Sequence, residues 1–305
     1  KIVFMGTPDF AAASLAELLA CGHEILAVYT QPDRPSGRGN KLKPSAVKLL
    51  AEQHRIPVYQ PQKVRAAQSV TELAALQPEI IIVVAYGQLL PQAILDIPKY
   101  GCLNVHGSIL PQYRGASPIH QAIMDGQTRT GVTIMQMDAG MDTGDILTVA
   151  YEDINPEDTT EGLYERLKTV GAKLLADTLP KLAAGELIPV KQDDTKASYA
   201  GMITADMERI DWLQPAISIH NKIRALGSSY AVDAEGNKLK FWQTRVEPEQ
   251  TGCPGEVVSV NKKFFTVATG FGALTVLEVQ PANRKRMSAG DFVNGRQMKI
   301  GYRFV

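Results

Sequence analysis

Asn104 and His106 stand two apart in the run Gly101-Cys-Leu-Asn-Val-His106. The run reads as a short buried strand, and residues two apart on a strand share a face. An amide N–H can donate to a developing oxyanion, and an imidazole can donate there or carry a proton. A polar pair at the end of a buried strand is where open α/β sheets place their chemistry. Two further acids lie in a glycine-rich turn, Asp138-Ala-Gly-Met-Asp142-Thr-Gly144. If Asp142 approaches His106, it would orient the ring and hold its proton. Between these groups runs Gly107-Ser-Ile-Leu-Pro-Gln-Tyr-Arg-Gly-Ala-Ser-Pro118. It closes on Ser117 as a helix N-cap, with Pro118 in the first helical position.

A second kind of chemistry is suggested by residues 31–44, where Arg34, Arg38, Lys41 and Lys43 face a single acid, Asp33. Proline and glycine keep this stretch out of regular structure. A basic insertion loop suits a phosphate-rich substrate. No metal is expected, because none of the five histidines pairs with a second ligand at metal spacing. Cys21, Cys102 and Cys253 are isolated, which argues against a disulfide framework and fits a reducing cytoplasm.

The elements that must position these groups are those of a doubly wound α/β sheet. Ile2–Met5 and Ile25–Tyr29 are strands, and residues 8–21 between them carry Phe10, Leu15, Leu18 and Leu19 at helical spacing. Thr7 is expected to cap that helix, with Pro8 as its first residue. The Gly6-Thr-Pro8 turn lacks G-x-G-x-x-G, so a dinucleotide site is not supported. Residues 80–85, Ile-Ile-Ile-Val-Val-Ala, read as a strand buried on both faces. Further helices are expected after Pro44, around Thr71–Leu76, over Pro91–Leu95, over Pro118–Met124, and over Thr160–Leu182. Strands are expected at Val58–Tyr59, Thr130–Met137 and Asp145–Tyr151.

The chain divides by character into 1–187, a polar linker over 188–206, and 207–305. The last part opens with a helix near Pro215 that ends at Gly227. Short strands then follow at close spacing, at 239–242, 256–260, 264–268 and 273–279, as expected for a small β-barrel of the oligonucleotide-binding kind. Residues 1–208 hold 18 Lys/Arg and 24 Asp/Glu, whereas residues 209–305 hold 14 and 8, a net +6. A basic terminal part points to a polyanionic partner. No apolar run approaches the roughly 20 residues of a membrane helix, so no membrane partner is expected.

Several motifs together carry a resemblance. They are Asn104-x-His106, Ser108-Ile-Leu-Pro111, Tyr113-Arg-Gly-Ala-Ser-Pro118 and Asp138-x-Gly-x-Asp142-Thr-Gly144. They closely resemble the N10-formyltetrahydrofolate-dependent formyltransferase superfamily. Gly6-Thr-Pro-Asp-Phe10, Gln31 to Gly39, Val84-Ala-Tyr-Gly87 and Gly131 to Met137 extend the likeness over essentially the whole chain. They narrow it to the branch that formylates methionine carried on initiator tRNA. The resemblance implies a Rossmann-like formyltransferase domain, a linker and an OB-like tRNA-binding domain. It also implies a cytoplasmic monomer whose formyl donor is 10-formyltetrahydrofolate. Asn104, His106 and Asp142 would be catalytic. Ser108, Ile109, Leu110, Pro111, Tyr86 and Asp138 would contact the folate, and Arg38, Lys41 and Lys43 the tRNA. Two departures stand out: Gln112, where many relatives have arginine, and Ala225–Tyr230, where a proline- and aromatic-containing stretch is expected. The alternative is a formyltransferase acting on an amino sugar or a ribonucleotide amine.

Overall fold

A computed structural model describes residues 1–36, 41–296 and 298–305. Two compact units divide the chain. The first comprises residues 1–118, 129–153 and 163–200. The second comprises 119–128, 154–162 and 201–305.

The first unit begins with β1 (Ile2–Gly6), α1 (Asp9–Ala20) and β2 (Ile25–Tyr29). A two-stranded hairpin follows, β3 (Arg34–Ser36) and β4 (Lys41–Lys43). The basic stretch is thus partly regular, because a pairing partner lies within a few residues of each short strand. Next come α2 (Ala46–Gln53), β5 (Val58–Tyr59), α3 (Ala67–Ala75) and β6 (Ile80–Val84). α4 (Gln92–Leu95), β7 (Cys102–His106) and β8 (Arg114–Gly115) come before β9 (Arg129–Gln136), and the helix between, α5 (Pro118–Met124), belongs to the second unit from residue 119 on. β10 (Ile146–Asp153), α6 (Thr160–Ala183) and β11 (Tyr199–Ala200) complete the set.

The main sheet has seven strands in the order β10-β9-β7-β6-β1-β2-β5. The five strands from β7 to β5 are mutually parallel, and β9 runs antiparallel to both β7 and β10. Every residue of β1 and β6 is buried, which is why both read as unbroken apolar runs. One face packs around Val3, Met5, Tyr29, Ile81 and Leu90. On the other face a Cβ at Gly171 of α6 would lie 3.2 Å from Val105 and 3.3 Å from Val132. That glycine lets the helix sit close to the strand that carries Asn104 and His106. Chain order reverses between β1 and β6, so their carboxyl ends and that of β7 form the crevice of an open α/β sheet.

Two local expectations are corrected. α1 starts at Asp9 with Pro8 as its N-cap and no side-chain cap. Thr7 Oγ1 instead donates to the Tyr86 carbonyl at 3.0 Å, tying the β1 turn to the one after β6. The segment expected as linker over 188–206 does not run free in its first part. Val190 bridges Ile146, and β11 pairs in parallel with β8, so residues 188–200 belong to the first unit.

The second unit holds α7 (Ala216–Leu226), which ends on Gly227 at φ 60°, the left-handed cap expected from sequence. Five strands follow: β12 (Tyr230–Val232), β13 (Lys238–Glu247), β14 (Val257–Val260), β15 (Phe265–Ala268) and β16 (Ala273–Pro281). They pair antiparallel in the order β12-β13-β16-β15-β14. β17 (Met287–Ser288) adds to β16, and α8 (Ala289–Arg296) follows it. Arg303 bridges Glu256 beside β14, and Phe304 bridges Asp233 beside β12. These bridges close the sheet into a barrel around Trp212, Phe241, Phe265, Phe292 and Phe304. The expected fold class, a mostly parallel α/β sheet followed by a small β-barrel, is the observed one. Among the described residues no helix is long and apolar enough to cross a membrane.

Candidate active site

β7 delivers Asn104 and His106 to one face, and the 138–144 turn delivers Asp142 to the same place. Asn104 Nδ2 lies 3.4 Å from Asp142 Oδ1. His106 Nδ1 lies 3.7 Å from Asp142 Oδ2. The other imidazole nitrogen, Nε2, is 2.9 Å from the Tyr113 carbonyl oxygen. A carbonyl can only accept, so Nε2 carries a hydrogen and Nδ1 is the nitrogen that faces the carboxylate. His106 is buried and Asp142 half-buried. The carboxylate also accepts the Gly115 backbone N–H at 2.8 Å.

The backbone here is strained and held. Asp142 has φ 55° and Tyr113 φ 59°. Non-glycine residues in the left-handed region cost on the order of 1–3 kcal/mol each and persist only when their surroundings fix them. The Tyr113 peptide is fixed on both sides: its N–H donates to Ser198 Oγ at 2.9 Å and its carbonyl accepts from His106. Behind Asp142 stands Gln192. Its Nε2 donates to the carbonyls of Asp142 at 2.8 Å and Gly144 at 2.7 Å. Its Oε1 accepts two bonds from the buried Arg114 guanidinium at 3.0 and 2.8 Å. Burial works against the Arg114 charge, but hydrogen bonds to Asp194 and Tyr199 outweigh it and hold its pKa above the usual value.

The other expected residues fall in four places. Ser108 is buried and donates to the Gln112 carbonyl at 2.6 Å. Thr133 Oγ1 bridges the Ser108 carbonyl and the Leu110 N–H, at 2.7 and 3.2 Å, so 108–111 is a braced loop. Ile109 and Pro111 are half-buried on it and Leu110 is buried. Asp138 is exposed and shapes its own turn by accepting from Gly140 N–H and Thr143 Oγ1. Tyr86 is buried in the sheet core with its hydroxyl unpartnered among the described residues, and burial pushes its pKa up to about 12. The turn after it is exposed. The N–H groups of Gly87, Gln88 and Leu89 donate to no protein acceptor among the described residues. Lys43 is exposed on β4, and the backbone of Lys41 lies on the same strand, while Arg38 lies outside the described residues.

Gln192, Ser198 and the role of Arg114 go beyond what the sequence announces. The segment that supplies Gln192 and Ser198 is polar and without periodicity, and the burial of Arg114 on β8, which demands a partner, is visible only in the structure. A groove of about 450 Å³ between Tyr59 and Glu72 contains none of the expected site residues. Among the described residues no group of three or more His, Cys, Asp or Glu could hold a metal ion.

A buried strand with an amide and an imidazole at the carboxyl edge of an open α/β sheet, facing a carboxylate turn, defines the class. The chain belongs to the formyl transferase family, matching its formyl transferase domain over residues 1–179 and its C-terminal domain over 202–297. Among the curated relatives it resembles are proteins named methionyl-tRNA formyltransferase. That of Citrifermentans bemidjiense is 46% identical, covering 99% of this chain and 95% of the relative. That of Geobacillus sp. is 47% identical over 97% and 94%. Among solved structures, an N-formyltransferase from Helicobacter canadensis in complex with folinic acid and dTDP-3-aminofucose shares the fold. Its TM-score is 0.67 at 20% identity, over 92% of this chain and 99% of that one. HypX from Aquifex aeolicus matches at TM-score 0.63 and 17% identity, and the chain spans 48% of that longer protein.

Proposed function

We propose that this protein moves the formyl group of 10-formyltetrahydrofolate onto the α-amine of methionine esterified to initiator tRNA. The near-full-length identity to methionyl-tRNA formyltransferases carries the reading. The meeting of Asn104, His106 and Asp142 supplies the chemistry. The folate is a substrate here, and the open donors of Gly87–Leu89 fit the acceptor-rich edge of a flat heteroaromatic ring.

A free α-amine has a pKa of about 7.7–8.0, and esterification lowers it, so the nucleophile needs no strong base. The amine nitrogen adds to the formyl carbon and the carbonyl electrons move onto oxygen; the carbonyl then re-forms as the carbon–N10 bond breaks, and the amine proton finishes on N10. Asn104 Nδ2 donates to the oxyanion that develops in between. His106 stabilises the same oxygen through Nδ1 when that nitrogen is protonated. Asp142 holds the imidazole in place and relays the proton, through water where the distance requires it. Arg38, Lys41 and Lys43 of the basic stretch 31–44 take the acceptor end of the tRNA, and the positive charge of residues 209–305 assists. The protein works in the cytoplasm, a reducing compartment that its three free cysteines suit, and we take it to act as a monomer.

The test is incubation with 10-formyltetrahydrofolate and either methionyl-tRNA or an amino-sugar nucleotide. Formylmethionyl-tRNA is the expected product. Formylation of the sugar with none on the tRNA would overturn the reading.

A further inference from the structure

We infer that Gln192 is a positioning residue of the active site, acting as a clamp on the Asp142 turn. The inference rests on the catalytic reading of Asp142 given above. Residues 180–201 lie between the two stretches that match the family domains, yet this segment reaches the back of the site. Gln192 uses both ends of its amide. Nε2 donates to the Asp142 and Gly144 carbonyls, and Oε1 accepts two bonds from Arg114. Arg114 is 2% exposed and is held in turn by Asp194 Oδ1 at 2.7 Å. The residue after it, Gly115, donates its N–H to the Asp142 carboxylate.

The left-handed Asp142 is therefore gripped at two points. Its carbonyl is held by Gln192 and its carboxylate by the Gly115 amide, and one arginine loop lies behind both. The Gly144 position allows little slack: a Cβ there would sit 1.7 Å from the Gln136 carbonyl oxygen. Only a side chain with a donor on one branch and an acceptor on the other satisfies both neighbours, which is the chemistry of an amide. Freed from the clamp, the turn relaxes toward an unstrained backbone and carries the carboxylate away from His106.

The substitution Gln192→Glu separates this role from simple packing. Glutamate has the same shape and keeps, or strengthens, the bonds to Arg114. Its second oxygen then opposes two carbonyl oxygens, so the clamp fails while the arginine stays satisfied. In Gln192→Glu, amide hydrogen exchange in residues 138–144 should rise while melting stays within a few degrees of the parent. kcat should fall on the order of a hundredfold, with the KM for folate within about twofold. The deficit relative to the parent should shrink at lower pH, where the introduced carboxyl takes up a proton and regains one donor. Unchanged exchange, a parental kcat, or a loss of activity matched by global unfolding would each overturn the clamp. If the parent protein formylates no methionyl-tRNA, the functional reading falls, and the exchange measurement still decides the clamp.

Discussion

His106 is bound on one side by a backbone carbonyl and faced on the other by a carboxylate. Removing the ring should therefore affect turnover more than binding. His106→Ala is expected to lower kcat by roughly 10²–10³-fold, as loss of one oxyanion donor does, with the folate Kd little changed. Parental turnover in that variant would remove the imidazole from the mechanism. Tyr86 supports the opposite prediction. Its hydroxyl is buried without a partner among the described residues, and an unsatisfied buried polar group costs about 1–3 kcal/mol. Tyr86→Phe should leave Tm equal or higher and the folate KM unchanged. A raised KM would show that the phenol reaches the substrate.

At the scale of elements, the second unit depends on a buried acid. Burial works to raise the pKa of the Asp233 carboxyl. Hydrogen bonds from the Tyr302 hydroxyl, the Asn237 side chain and the N–H groups of Asn237 and Glu235 outweigh burial and hold it below the usual carboxylate range. A carboxyl depressed in the folded state stabilises above its unfolded pKa of about 3.9 and loses that contribution as pH falls through the lower folded value. The barrel should accordingly weaken as pH falls below about 5, and Asp233→Asn should flatten that slope in acid melting curves. An identical slope in the variant would remove Asp233 from the account. The elements also show what sequence can carry. β1 and β6 are legible because strands buried on both faces have no polar positions, and Gly227 because a helix must stop somewhere. The start of α1 is not, because the Thr7 hydroxyl is used across the sheet edge, on Tyr86, a contact 79 residues away. Asn104, His106 and Asp142 are visible as types at a spacing. Gln192 is hidden, since its bonds to Arg114 span 78 residues and leave no periodic trace.

For the whole molecule, the neutral total hides a +6 excess in residues 209–305. Contacts between Lys or Arg and phosphate release counterions, so they weaken steeply with salt. The apparent KM for methionyl-tRNA should rise by roughly tenfold or more between about 50 and 200 mM salt, as a few phosphate contacts require. The KM for folate should barely move. A tRNA KM indifferent to salt would deny the basic residues any role in substrate capture.

The pairing of Arg303 with Glu256 and of Phe304 with Asp233 also sets an order of events at the ribosome. Every strand of the first unit has been translated once Ala200 is made, but the barrel's seam waits for about a hundred further residues. The sheet is complete only when β16 ends at Pro281, and at about 5–20 residues per second the two dozen or so residues still to come leave the nascent barrel on the order of 1–5 s with two raw strand edges. In that interval it is most open to pairing with a neighbouring chain.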